Sequence, residues 1–122
     1  MTETQEQEAL FDWAQYRTDL QLMLHVVNEG RRSVQHTMAL KRQGMKPGVP
    51  DILFPVARGG YHGLWIEMKR KDGGRLSPEQ KWWQKALLEE GYAVSVCKGF
   101  DDARETIEWY LRLKEERPCL SK

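Results

Sequence analysis

Gly48-Val49-Pro50-Asp51, the apolar run after it, a glycine-rich turn and then Trp65-Ile66-Glu67-Met68-Lys69 decide the fold of this 122-residue chain. Side chains on a strand alternate between faces, so Glu67 and Lys69 point one way while Ile66 and Met68 point the other. One face is therefore apolar, and the other carries charges of both signs. Asp51 follows Pro50, whose fixed φ holds the approach extended and whose missing N–H suits the first residue of a strand. Residues 51–56 and 62–68 are predicted as two strands, joined through Arg58-Gly59-Gly60 as an antiparallel hairpin. Neighbouring strands then gather Asp51, Glu67 and Lys69 around one metal ion and one phosphate. Singly, each has a plainer reading, a turn aspartate or a surface charge pair; together with the flanking apolar pattern they point to a metal site. Carboxylate oxygens suit a hard divalent cation, Mg²⁺ or Mn²⁺.

The rest of the chain supplies layers for these strands. Thr2, Thr4 and the Glu and Gln residues around them mark a helix start, and Leu10, Trp13, Ala14 and Arg17 follow at helical spacing, predicting a helix over 3–19. The run 22–27 reads as a short strand stopped by Asn28-Glu29-Gly30. A basic helix over 33–43 ends at Gly44. Ser77 at an N-cap, Pro78 at the first helical position, Gln80 at the capping-box position and Gly91 past the end define a further helix, with Trp82, Ala86 and Leu87 facing a core. A strand over 92–97 follows. Asp101 reads as the cap of a last helix with Ala103, Ile107, Tyr110 and Leu111 on one face. Helices and strands alternate, so the fold class is α/β, a small mixed sheet flanked by helices in a single domain, 1–122.

Cys97 and Cys119 read as a buried small hydrophobe and a surface thiol in a reducing cytoplasm, and no Cys/His spacing suits zinc. Without a signal peptide or an apolar run of spanning length, the expectation is a soluble cytoplasmic protein with no membrane partner. Nothing in the sequence calls for a small-molecule cofactor. Net charge is only +1, yet residues 31–85 hold twelve Lys/Arg against four Asp/Glu. Polyphosphate affinity follows local basic contacts rather than the total, so DNA is the expected partner. Arg31, Arg32, Lys41, Arg42 and Lys46 fall in a stretch without acids, interleaved with Gly44, Pro47 and Gly48; with His36 they read as phosphate contacts, the plainer alternative being a solvated helix face. Arg70, Lys71 and Arg75 offer a second basic path. His25, His36 and His62 do not read as general bases. Trp82 and Trp83 read as packing residues before base-stacking ones.

The motifs Lys46-Pro47-Gly48-Val49-Pro50-Asp51, Gly60-Tyr61-His62-Gly63-Leu64-Trp65-Ile66-Glu67-Met68-Lys69 and Leu76-Ser77-Pro78-Glu79-Gln80 resemble the VRR-NUC branch of the PD-(D/E)XK nucleases, found alone in phages and bacteria and fused to larger repair nucleases. The resemblance implies a restriction-endonuclease-like core and a metal-dependent endonuclease, selective for DNA shape such as a four-way junction or flap. It implies catalytic roles for Asp51, Glu67, Lys69 and Gln80. It also implies metal ligation by Asp51, Glu67, the Met68 carbonyl and a carboxylate from the first helix. Glu3, four residues before Gln7, fits that last position, with Glu6 and Glu8 as rivals. Gln80 is equally placed to cap Ser77. Standalone relatives act as dimers, so a homodimer is expected.

Overall fold

The structure is a computed structural model that describes residues 1–27 and 33–119. Its elements are α1 (Glu3–Ala14), a 3₁₀ turn (Thr18–Leu20), β1 (Leu24–His25), α2 (Val34–Arg42), β2 (Ile52–Phe54), β3 (Leu64–Lys69), α3 (Pro78–Glu89), β4 (Ala93–Lys98) and α4 (Phe100–Leu111). The strands form one sheet in the order β1-β2-β3-β4. β1 pairs with β2 and β2 with β3 antiparallel, while β4 runs parallel to β3. The mixed α/β sheet expected from the sequence is thus present. A parallel pair needs a crossover, and α3 supplies it.

The alternation along β3 decides the layering. Ile66 and Met68 join Ile52, Phe54 and Leu64 in a core closed by Leu10 and Ala14 of α1 and by Ala103, Ile107 and Tyr110 of α4. Each large side chain fully buried there stabilises the fold by roughly 1.5–3 kcal/mol. Glu67 and Lys69 emerge on the opposite face, toward α3. The hairpin from β2 to β3 closes through Arg58 and Tyr61, with Gly59 and Gly60 both at positive φ (57° and 84°). A two-residue turn of that hand requires such backbone at both central positions, which glycine adopts without a Cβ clash.

Several expectations shift. The first helix stops at Ala14 instead of 19, because Arg17 is extended and its guanidinium binds Asp19 and Glu108 of α4. β1 is two residues long, although Val26 still donates to the Asp51 carbonyl at 2.8 Å. Asp101 is not the cap of α4: Gly99 occupies that position and has no side chain to offer. Trp82 does not face the core; it is 64% exposed and meets Trp83 edge-on, whereas Leu87 is buried. α2 forms as expected but has no buried residue. Cys97 is buried and Cys119 exposed, both free. No helix among the described residues is long and apolar enough to cross a membrane.

Candidate active site

Asp51 is fixed at both ends where β2 begins. Its backbone carbonyl accepts from Val26 N–H and from His25 Nδ1, each at 2.8 Å, and its carboxylate accepts the Met68 N–H at 2.8 Å. Ile52 pairs with Ile66, so one step further the same register sets Asp51 across from Glu67. Glu67 is 1% exposed, and its Oε1 has no hydrogen-bond partner. Burial pushes its carboxyl up to about 9; the hydrogen bond and charge of Asp51, and the charge of Glu3, push the same way, and Lys69 alone opposes them. An ionised carboxylate kept from water with an unused oxygen is costly unless a cation or a proton meets it.

Glu3 supplies a third carboxylate from the first turn of α1. One oxygen from each of Glu3, Asp51 and Glu67 lies within 4.8 Å of the others. The rivals are placed elsewhere. Glu6 is buried, and its Oε2 accepts the N–H of Phe100 at the start of α4. Glu8 is exposed on the helix.

Lys69 is 8% exposed, and its ammonium donates to Gln80 Oε1 at 3.2 Å. The same oxygen accepts from the Ser77 N–H at 2.9 Å, while Gln80 N–H donates to Ser77 Oγ at 3.1 Å. The two roles open to Gln80 are therefore joined: one capping box starts α3 and holds Lys69. Gly48 seats the preceding loop on this helix start. It has φ +88°, and a Cβ there would lie 2.5 Å from the carbonyl carbon of Glu79 and 2.8 Å from the nitrogen of Gln80. Its role is close packing on α3. Glu3, Asp51, Glu67 and Gln80 line one side of a cleft of about 540 Å³, with Lys41 and Glu79 also on its wall.

A profile of the VRR-NUC domain matches residues 1–101. The chain belongs to the VRR-NUC family. A solved structure described as a VRR-NUC domain protein superposes with a TM-score of 0.82 at 30% identity, covering 100% of this chain and 97% of that one. No curated protein matches the sequence. VRR-NUC domains form a nuclease family within the PD-(D/E)XK superfamily, whose signature here is Pro50-Asp51 and Glu67-Met68-Lys69.

In this VRR-NUC chain the basic residues divide. Arg31 and Arg32 lie outside the described residues. His36, Lys41 and Arg42 are exposed on α2, Lys46 is exposed on the loop after it, and of these Lys41 borders the carboxylate cleft. Arg42 instead lines a separate hollow with Ala39 and Gln43. Arg70, Lys71 and Arg75 are exposed beyond β3; Arg70 lies 3.9 Å from Asp72 and Lys71 3.8 Å from Asp101. His62 packs against the ring of Tyr92, away from the carboxylates. His25 does touch the site, through the backbone of Asp51 and the Gln7 side chain at 3.0 Å. Sequence reasoning missed the tasks of His25 and Glu6. The one available signal for Glu6 was Gly99, a glycine where a side-chain cap would stand.

Proposed function

We propose that this protein is a Mg²⁺- or Mn²⁺-dependent endonuclease that hydrolyses phosphodiester bonds in DNA, selecting its substrate by shape, a four-way junction or a flap. The observation that carries the reading is the buried Glu67 carboxylate: one oxygen is unpartnered, Asp51 and Glu3 stand beside it, and Lys69 is two residues along the same strand face. The donor set fits a hard cation, since all three side chains offer oxygen and their gathering is unfavourable without positive charge. Glu3, Asp51 and Glu67 would hold it. Met68 adds a fourth oxygen, because its N–H points to Asp51 and a strand residue's C=O leaves the backbone on the same side. When bound, such a cation supplies Lewis acidity, lowering the pKa of water and offsetting charge on the phosphate.

The protein's own residues do the remainder. Lys69, held by Gln80 of the cleft wall, orients the attacking water or neutralises charge that builds on the phosphoryl oxygens. Gln80 is the residue that keeps Lys69 from swinging. Lys41 at the cleft wall, with His36, Arg42, Lys46, Arg70, Lys71 and Arg75 exposed elsewhere and with Arg31 and Arg32 from the sequence, contacts the phosphate backbone and gives position without reading bases. Selectivity then rests on shape and deformability, and a homodimer places two sites for opposed strands.

The test is to incubate the pure protein with labelled duplex, flap and four-way junction in Mg²⁺, Mn²⁺ or EDTA. Cation-dependent nicking that favours a branched substrate is the expected result. Binding without cleavage in every condition would overturn the enzymatic reading.

A further inference from the structure

Three elements that start at different points in the sequence meet beside the carboxylates, and a single imidazole joins them. His25 Nδ1, on the edge strand β1, lies 2.8 Å from the Asp51 carbonyl and 3.0 Å from the carboxamide of Gln7 on α1. A backbone carbonyl only accepts, so Nδ1 carries the proton. Both the neutral Nδ1–H form and the imidazolium have that proton, and the tie does not depend on His25 changing charge. An N–H already in place cannot receive a second donor. The structure sets Gln7 Nε2 at 3.0 Å from Nδ1, and a half-turn of the carboxamide, which exchanges its nitrogen and oxygen, brings the acceptor oxygen to that position.

Gln7 stands one helical turn after Glu3, so the two side chains share a face of α1. The far side of the same turn is anchored separately, through Glu6 to the Phe100 N–H. With both ties made, the first turn of α1 has little freedom to slide along the sheet. The gap between the Glu3 and Asp51 carboxylates is fixed with it.

We propose that His25 is a positioning residue that, through Gln7 and the Asp51 carbonyl, holds the Glu3 carboxylate at the right distance from Asp51 and Glu67. The proposal rests on the nuclease reading above, since it assigns His25 a service to that site. Partners of this kind, one step removed from a metal ligand, typically change metal affinity or turnover by roughly 10- to 100-fold when lost.

The experiment compares wild type with His25→Ala, His25→Asn, Gln7→Leu and the double variant His25→Ala/Gln7→Leu, reading Mn²⁺ affinity by calorimetry, melting temperature, and kcat and KM on a nicked-product assay. His25→Ala is expected to weaken Mn²⁺ binding and lower kcat within that 10- to 100-fold range, with KM for DNA little changed. His25→Asn keeps an N–H donor near the Nδ1 position and is expected to restore most of the loss. Gln7→Leu should resemble His25→Ala, and the double variant should lose no more than the worse single one, because both remove the same tie. His25 is exposed, so all four should melt close to wild type. His25→Ala with wild-type Mn²⁺ affinity and kcat would overturn the proposal, as would His25→Asn no better than alanine. Glu67→Gln serves as the control. If it loses Mn²⁺ while His25→Ala does not, the nuclease reading stands and the positioning role falls; if wild type itself binds no Mn²⁺, both fall.

Discussion

Two glutamates among the described residues are almost wholly buried, and they could hardly be housed more differently. Glu6, 3% exposed, gives an oxygen to the Phe100 N–H at the start of α4, where Gly99 offers no cap of its own. Glu67, 1% exposed, keeps an oxygen with no partner and faces two further carboxylates. A helix N-terminus carries orphan N–H groups and the positive end of the dipole, so Glu6 answers a structural need. Glu67 answers none, and its carboxyl is driven up to about 9. Buried charge that satisfies the fold marks architecture. Buried charge that strains it marks the place where something else is meant to bind.

The largest effect that would break this contrast is on cleavage. Lys69→Ala is expected to lower kcat by about 10²- to 10³-fold or more, in the range lost with a transition-state donor, while leaving the melting temperature and Mn²⁺ affinity near wild type. Asp51→Asn and Glu67→Gln should lose both cleavage and the calorimetric Mn²⁺ signal. Glu6→Gln keeps an acceptor for Phe100 and should still cut. A Glu6→Gln variant that folds but has lost Mn²⁺ would put the site at the wrong glutamate.

Stability should divide the pair next, with opposite signs. Glu6→Ala leaves the Phe100 N–H without its acceptor at a helix start, which costs about 2 kcal/mol and lowers the melting temperature by several degrees. Glu67→Gln, in buffer with EDTA at neutral pH, should melt above wild type, since it keeps the shape and removes a carboxyl that the fold can house only by keeping it protonated beside Asp51 and Glu3. Equal destabilisation by both changes would erase the distinction.

How far the two roles can be read from the chain follows from the distance over which each is determined. The Glu67 environment is local: alternation along five residues sets its face, Pro50 sets Asp51, and the hairpin turn sets their register. The α3 capping box was legible for the same reason, whereas Glu3 was named only through the family resemblance, with Glu6 and Glu8 as rivals. Glu6 binds a group 94 residues away, and Asp101 looked like the cap of α4 because nothing nearby shows that α1 already supplies one. Trp82 failed similarly: helical spacing places it near Leu87's face, but it lies 64% exposed against Trp83. The short β1 is held by pairing with β2 and by His25, neither of which its own six-residue apolar run announces.

Proton linkage sharpens the contrast with a smaller effect. The folded Glu67 carboxyl, near 9, lies above its ordinary value of 4.5, so the folded state holds the proton more tightly than the unfolded chain. That contribution is complete below about pH 4.5 and is lost as the pH climbs toward 9, so without cation the wild type weakens across this window. Glu67→Gln should flatten that part of the profile in urea titrations at pH 5, 7 and 9. Cation binding displaces the same proton, so Mn²⁺ affinity should rise over the same range. A wild-type profile identical to that of Glu67→Gln would mean that Glu67 is already ionised and otherwise satisfied.

The smallest effect concerns charges that are neither buried nor strained. α2 has no buried residue, so neutralising Lys41 and Arg42, together with Arg31 and Arg32, should change the melting temperature little beside the effect on DNA affinity. If these residues contact phosphate, each substitution removes one counterion-release event, and the log–log slope of DNA affinity against salt flattens by about one per contact. Lys41 should count for more in turnover than Arg42, because Lys41 borders the carboxylate cleft and Arg42 lines a different hollow. Junction and duplex affinity should fall together, since phosphate contacts hold the ligand without reading its bases. Mn²⁺ affinity should barely move: the carboxylates are held by β2, β3 and α1, not by α2. A quadruple variant that keeps the wild-type salt slope would mean that α2 is a solvated face and that DNA follows Arg70, Lys71 and Arg75, whose neutralisation should then flatten the slope instead.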